Sequence, residues 1–219
     1  MERVIYYTPE QIAQLQTYII ETFGGGESGL VGHEIESEYV HTDVQIIADK
    51  DNDLCFVTTG MGARKMISPC PDFCRAELLM YTSKEIEPTS KEALIIVSAL
   101  QRLSKFPFRN NTWLFHGHTI PASESFRQVF GFDAFALIWV QTAEQVEGIW
   151  EIPFLQLIPI YTEERQWIME TDTFEGYMLL DGVFGYRVQY ADSKREKYIP
   201  DAKTIEELKD FLRKEQENT

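Results

Sequence analysis

Four histidines and three cysteines are the residues of this chain best suited to hold a metal or act as nucleophiles. His116-Gly117-His118 is a His-x-His pair, and on a strand residues two apart point to the same face, so both imidazoles would meet one ligand. His33, His41, Cys70 and Cys74 supply further ligand types. A zinc site needs three or four such groups converging, and none of these spacings matches a structural or catalytic zinc pattern. The plainer reading makes the histidines hydrogen-bonded surface groups and the cysteines small core or loop residues. A cysteine paired with His116 or His118 is the second chemistry these residues allow. No Gly-x-Ser-x-Gly elbow is present for serine chemistry. The sequence assigns no catalytic residue and no cofactor; a hydrolase or metal-dependent enzyme built on His116 and His118 stands as the alternative.

Charges set into strands are more informative. Val40 to Ile47, Phe56 to Gly62 and Arg75 to Tyr81 read as three consecutive strands, the first two joined by the charged turn Lys50-Asp51-Asn52-Asp53. His41 and Asp43 share one strand parity, as do Arg75 and Glu77. If the strands are neighbours, Asp43 faces the planar fork of Arg75 across the sheet. Such a pair either fixes strand order or lines a cleft for a partner peptide. Gly60 and Gly62, on either side of Met61, mark a bend.

These residues need a scaffold, and the flanking pattern supplies one. Thr8, Pro9 and Gln11 open a helix over 8–24 as N-cap, first-turn proline and capping-box partner. Ile12, Leu15, Ile19 and Phe23 make its apolar stripe, and three glycines end it. A second helix is expected from Lys91 to Phe106, with a Thr89/Glu92 capping box, stopped by Pro107. Trp113 to Ile120, Phe135 to Val140 and Phe154 to Ile160 read as strands, and Thr162 as the cap of a short helix. An amphipathic piece is expected over 177–183. A terminal helix over 204–217 opens on Thr204 and Glu207, with Ile205, Leu208, Phe211 and Leu212 docking it on the body. Thr142 to Gly148 is the one candidate seam. The interleaving with short connections implies an α+β fold, a layered sandwich of a mixed, mostly antiparallel sheet with flanking helices, in a single domain of residues 1–219.

The chain carries 20 basic and 35 acidic residues, a formal charge of −15, which repels nucleic acid and favours a basic protein partner or simple solubility. An odd, sparse set of cysteines argues against a secreted disulfide framework. With no signal-peptide pattern at Met1 to Thr8 and no apolar run long enough for a membrane span, a cytoplasmic protein is expected.

The order Val40-His41-Thr42-Asp43-Val44, Val57-Thr58-Thr59-Gly60-Met61, Arg75-Ala76-Glu77-Leu78-Leu79 resembles the suppressor-of-fused domain. The likeness continues through Trp113, Gly117-His118-Thr119-Ile120-Pro121 and Leu157-Ile158-Pro159-Ile160-Tyr161-Thr162-Glu163-Glu164, over about residues 35 to 185. The resemblance implies a domain that grips other proteins and has no established catalytic residues. Animal members hold a transcription factor as a short extended peptide with the help of a second domain, which a chain of this length is not expected to hold. Bacterial members are single-domain proteins, many of them immunity proteins that neutralise toxins. The expected partner is therefore another protein, such as a basic toxin or peptide segment. The matching positions are His41, Asp43, Thr59, Gly60, Met61, Arg75, Glu77 and His118, in contact or structural roles.

Overall fold

The computed structural model describes residues 3–25, 29–82, 85–171 and 195–217. A seven-stranded sheet forms its middle layer: β1 (Leu30–Gly32), β2 (Asp43–Ala48), β3 (Leu54–Thr59), β4 (Glu77–Thr82), β5 (Thr119–Pro121), β6 (Ala134–Val146) and β7 (Ile149–Ile160). The spatial order is β1-β2-β3-β4-β7-β6-β5. Every neighbouring pair is antiparallel except β4 with β7, which run parallel with Glu77 opposite Phe154 and Leu79 opposite Gln156. The sheet is thus mixed and mostly antiparallel, as the strand pattern implied.

Helices cover both faces, so the central strands are buried on both sides and read as unbroken apolar runs. β3, Leu-Cys-Phe-Val-Thr-Thr, is buried along its whole length. On one face Phe56, Leu78, Met80, Phe135 and Leu155 pack against α2 (Lys91–Leu103) and α4 (Glu124–Phe130), through Ile96, Leu100 and Phe126. On the other face Cys55, Val57, Leu79 and Phe154 meet Leu15, Ile19 and Phe23 of α1 (Pro9–Phe23). Ile168 of α5 (Thr162–Glu170) closes that face over Ile158 and Ile160. No helix among the described residues is long and apolar enough to cross a membrane.

Several local expectations change. The Thr8/Gln11 capping box forms on both sides, at 3.2 and 3.0 Å. Before α2, however, the cap is Ser90 rather than Thr89, its Oγ accepting from the Ala93 amide. Pro107 does not end the helical path; it sits in the first turn of α3 (Phe106–Asn110), where a missing amide costs nothing. Trp113 to His118 is not a strand, and only Thr119–Pro121 joins the sheet. Thr142 to Gly148 is no seam but the far end of the long β6–β7 hairpin. The terminal helix α6 spans Ala202–Glu217 and is capped by Asp201, whose Oδ1 accepts from the Thr204 amide at 2.8 Å. The side chains of Leu208, Phe211 and Leu212, and the piece expected over 177–183, lie outside the described residues.

A buried carboxylate knot and the cleft above it as candidate functional site

The polar residues of the early strands converge where β2, β3 and β4 end. Glu77, the first residue of β4, has no exposed surface. One carboxylate oxygen accepts from Tyr7 Oη, the Gly60 amide and the Gly62 amide, each at 2.9 Å. The other accepts from Thr58 Oγ1 at 2.6 Å and the Met61 amide at 3.3 Å. Three successive amides therefore curl around one anion, a main-chain nest. Burial pushes the carboxyl above its ordinary value of 4.5, and the hydrogen bonds oppose that rise without cancelling it. The Tyr7 phenol is pushed up as well, by burial first and then by Glu77.

The nest requires glycine for close approach. Gly60 has φ +144°, and a Cβ there would lie 1.9 Å from the His41 carbonyl oxygen. A Cβ on Gly62 would lie 2.3 Å from Tyr7 Oη. Gly60→Ala is therefore expected to cost about 1–3 kcal/mol, the range for a residue forced into a disfavoured backbone conformation, and a shift in urea midpoint checks it. Arg75 braces the turn from outside by donating from Nη1 to the Gly62 carbonyl.

Above the knot, a cleft of about 40 Å³ is bordered by Tyr6, His41, Asp43, Thr59 and Gly60. Asp43 binds on three sides: His33 Nδ1 lies 3.0 Å from Oδ2, His41 Nε2 lies 3.2 Å from Oδ1, and the Glu34 amide donates to Oδ1 at 3.0 Å. The His41 ring stacks on Tyr6, with centroids 5.4 Å apart, and its Nδ1 lies 2.7 Å from Ser37 Oγ. Glu34 turns to Lys105, and this ion pair is almost fully buried. Thr59 accepts from Gln45 at 2.9 Å.

Of the eight positions singled out in the sequence, His41, Asp43, Thr59 and Gly60 border this cleft, while Met61 and Glu77 lie beneath it. Arg75 borders a separate cleft of about 180 Å³ with Lys65, Cys74 and Glu151. The expected Asp43–Arg75 pair does not form, because β3 stands between β2 and β4. His118 sits at the opposite side of the sheet, its ring set edge-on to Trp113 with centroids 5.4 Å apart. His116 Nδ1 accepts from the Trp139 amide at 3.3 Å, and Gly117, at φ +83°, turns the chain between them, so the two imidazoles do not share a strand face. Among the described residues, no group of three or more histidine, cysteine, aspartate or glutamate side chains is placed to hold a metal ion.

The sequence reading missed Tyr7, Thr58, Glu34 and Lys105. Tyr7 carried no signal, since its role comes from an extended segment pairing with Val40 far along the chain. Glu77 did: a lone carboxylate opening Leu-Leu-Met, with Gly-Met-Gly upstream, asks for a buried cluster of donors.

The family model for Suppressor of fused protein (SUFU) matches residues 38–195, more than half of the chain. A solved structure described as the Sufu-Fu complex superposes with a TM-score of 0.56 at 10% identity, covering 92% of this chain and 95% of that one. Drosophila Suppressor of Fused superposes with a TM-score of 0.56 at 12% identity, covering 93% of this chain and 54% of the Drosophila chain. No curated protein matches the sequence.

Proposed function

The chain belongs to the suppressor of fused family, and from that premise we propose that it is a non-catalytic module that binds another protein. More narrowly, it is a bacterial immunity protein that occupies a basic toxin in the cytoplasm, with residues 1–219 acting as one domain. The observation that carries this reading is the state of the strand carboxylates. Glu77, buried beneath the cleft, spends its acceptor capacity on five donors, and Asp43 at the rim is held by three, so both carboxylates are committed to internal hydrogen bonds that fix the shape of the site. The charge of −15 supports a basic partner. The superposed Sufu-Fu complex supports a protein partner of some kind. In this reading His41 and Asp43 hold the rim of the small cleft in shape, and Tyr6, 59% exposed, offers an aromatic face to the partner.

Co-expression with the product of the neighbouring gene, followed by affinity capture of this chain, tests the proposal. A stoichiometric complex is expected, and Tyr6→Ala should weaken it by about 1–2 kcal/mol, as at an aromatic contact. Failure to capture a partner from co-expression and from cell extract would count against the reading.

A further inference from the structure

Among the described residues, half of β6 has a strand on one side only. β5 pairs with Ala134 to Ala136, and Leu137 still bonds to Gly117 and His118. At Trp139 the amide is taken by the His116 ring. Beyond that point, to Val146, the only strand beside β6 among the described residues is β7. The uncovered stretch is about 20 Å long. The Thr142 carbonyl shows where its free side faces, because it accepts from Tyr18 of α1 at 2.9 Å, opposite Pro153, which has no amide to give. Main-chain groups alternate along a strand, so those of Glu144 turn to the same side.

That side opens on a groove of about 540 Å³ between α1 and β6, lined by Ala13, Thr17, Glu21, Ala143 and Glu144 among others. The charged residues of its lining carry one sign: Glu21 and Glu144, with no lysine or arginine beside them. Glu144 also stands directly opposite Glu151 across the hairpin, a like-charge pairing that weakens a sheet. Glu151 has Lys65 and Arg75 in its own cleft, whereas Glu144 forms no ion pair among the described residues. A strand edge that side chains of Tyr18 and Trp139 touch but no second described strand covers, a groove beside it and an acidic lining fit one occupant.

We propose that the groove between α1 and the distal half of β6 receives an extended, lysine- or arginine-rich segment of the partner protein as an added strand. The inference rests on the protein-binding reading above and adds a second contact surface, on the other flank of α1 from the Tyr6 cleft. Main-chain hydrogen bonds to β6 supply the register, and alternate basic side chains of the segment meet Glu21 and Glu144.

The probe is a fluorescein-labelled peptide of about ten residues alternating lysine and valine, long enough to span the stretch, titrated into the full chain. The expected result is saturable binding with slowed amide exchange over residues 141–146. The same peptide with N-methylated amides along both edges keeps its charge but has no main-chain donor to pair with β6, and it should not bind. Glu21→Lys with Glu144→Lys should weaken binding about tenfold or more. The second substitution places a lysine opposite Glu151, so thermal stability should not fall, which separates lost affinity from unfolding. Absence of binding, equal binding of the N-methylated peptide, or binding unmoved by the double variant overturns the groove. A captured partner that tolerates the double variant overturns the groove and leaves the protein-binding reading standing. Absence of any captured partner counts against that reading alone, since the peptide titration decides the groove by itself.

Discussion

Replacing Glu77 by leucine is expected to remove about 3 kcal/mol or more of stability. The side chain holds the amides of Gly60, Met61 and Gly62 together with the hydroxyls of Thr58 and Tyr7, all in a site without solvent. Leucine fills the space but accepts nothing. Each main-chain donor stranded in the interior costs about 1–3 kcal/mol, and the hydroxyls can only partly turn elsewhere. A domain of this kind has about 5–15 kcal/mol in all, so the variant should unfold at a far lower urea concentration or fail to accumulate. Glu77→Gln keeps one acceptor oxygen and should fall between wild type and leucine.

The same group gives a pH signature with a definite sign. Burial raises the Glu77 carboxyl in the folded protein above 4.5. The folded state therefore binds the proton more tightly than the unfolded chain. Its contribution to stability is fully present below the ordinary carboxylate value and is lost as pH rises through the raised one. Glu77→Gln has no such titration. The wild-type margin over Glu77→Gln, measured by urea unfolding across a pH series, should be largest on the acid side and shrink as pH rises. A margin that grows with pH would show that the five donors, and not burial, dominate the site.

Arg195→Leu should rank second, at about 3–5 kcal/mol, the range for breaking a buried ion pair from one side. Its guanidinium grips Glu164 with two bonds, Nη1 to Oε1 at 2.6 Å and Nη2 to Oε2 at 2.7 Å, and also donates to the Pro159 carbonyl at 2.7 Å. It lies between the rings of Phe132 and Tyr161, 4.9 and 4.8 Å from their centroids. Glu164 has no exposed surface, and with the arginine gone only the amides of Tyr161 and Tyr198 would face it. Lysine restores the charge but not the two-pronged geometry, so Arg195→Lys should recover only part of the loss. Removing both partners, as Arg195→Leu with Glu164→Leu, should cost clearly less than the sum of the single changes, because no lone charge is left inside. A double-mutant cycle in urea measures the coupling.

The strands that build the knot were legible because each carries its own signal. β3 is a run of apolar and β-branched residues, β2 and β3 flank a charged turn, and β4 opens on a charge and then turns apolar. The N-terminal helix announced itself through Thr8, Pro9 and Gln11. What escaped depended on partners distant in sequence. Trp113 to Ile120 has the composition of a strand, but the Gly117 turn and the packing of its aromatic rings against neighbours pull most of it out of the sheet. α4 was passed over although Ser123 caps it and Gly131 closes it at φ +74°, signals too short to outweigh the aromatic residues around them. Arg75 does not meet Asp43 because strand order, not residue type, decides which charges meet: β3 intervenes, and the Arg75 guanidinium ends on the Gly62 carbonyl. For the candidate site, six of the eight singled-out positions lie at or under one cleft, while the tyrosine and threonine hydroxyls that complete it had no marker in the chain.

The single parallel contact of the sheet, β4 with β7, has a consequence for biosynthesis. It joins residues 77–79 to residues 154–156, and such long-range pairings form late because loop closure must precede their reward. On the ribosome the antiparallel meander emerges first and waits with the flank of β4 bare until β7 has been made. A pause in translation anywhere between the two leaves that flank open to the wrong neighbour for as long as it lasts.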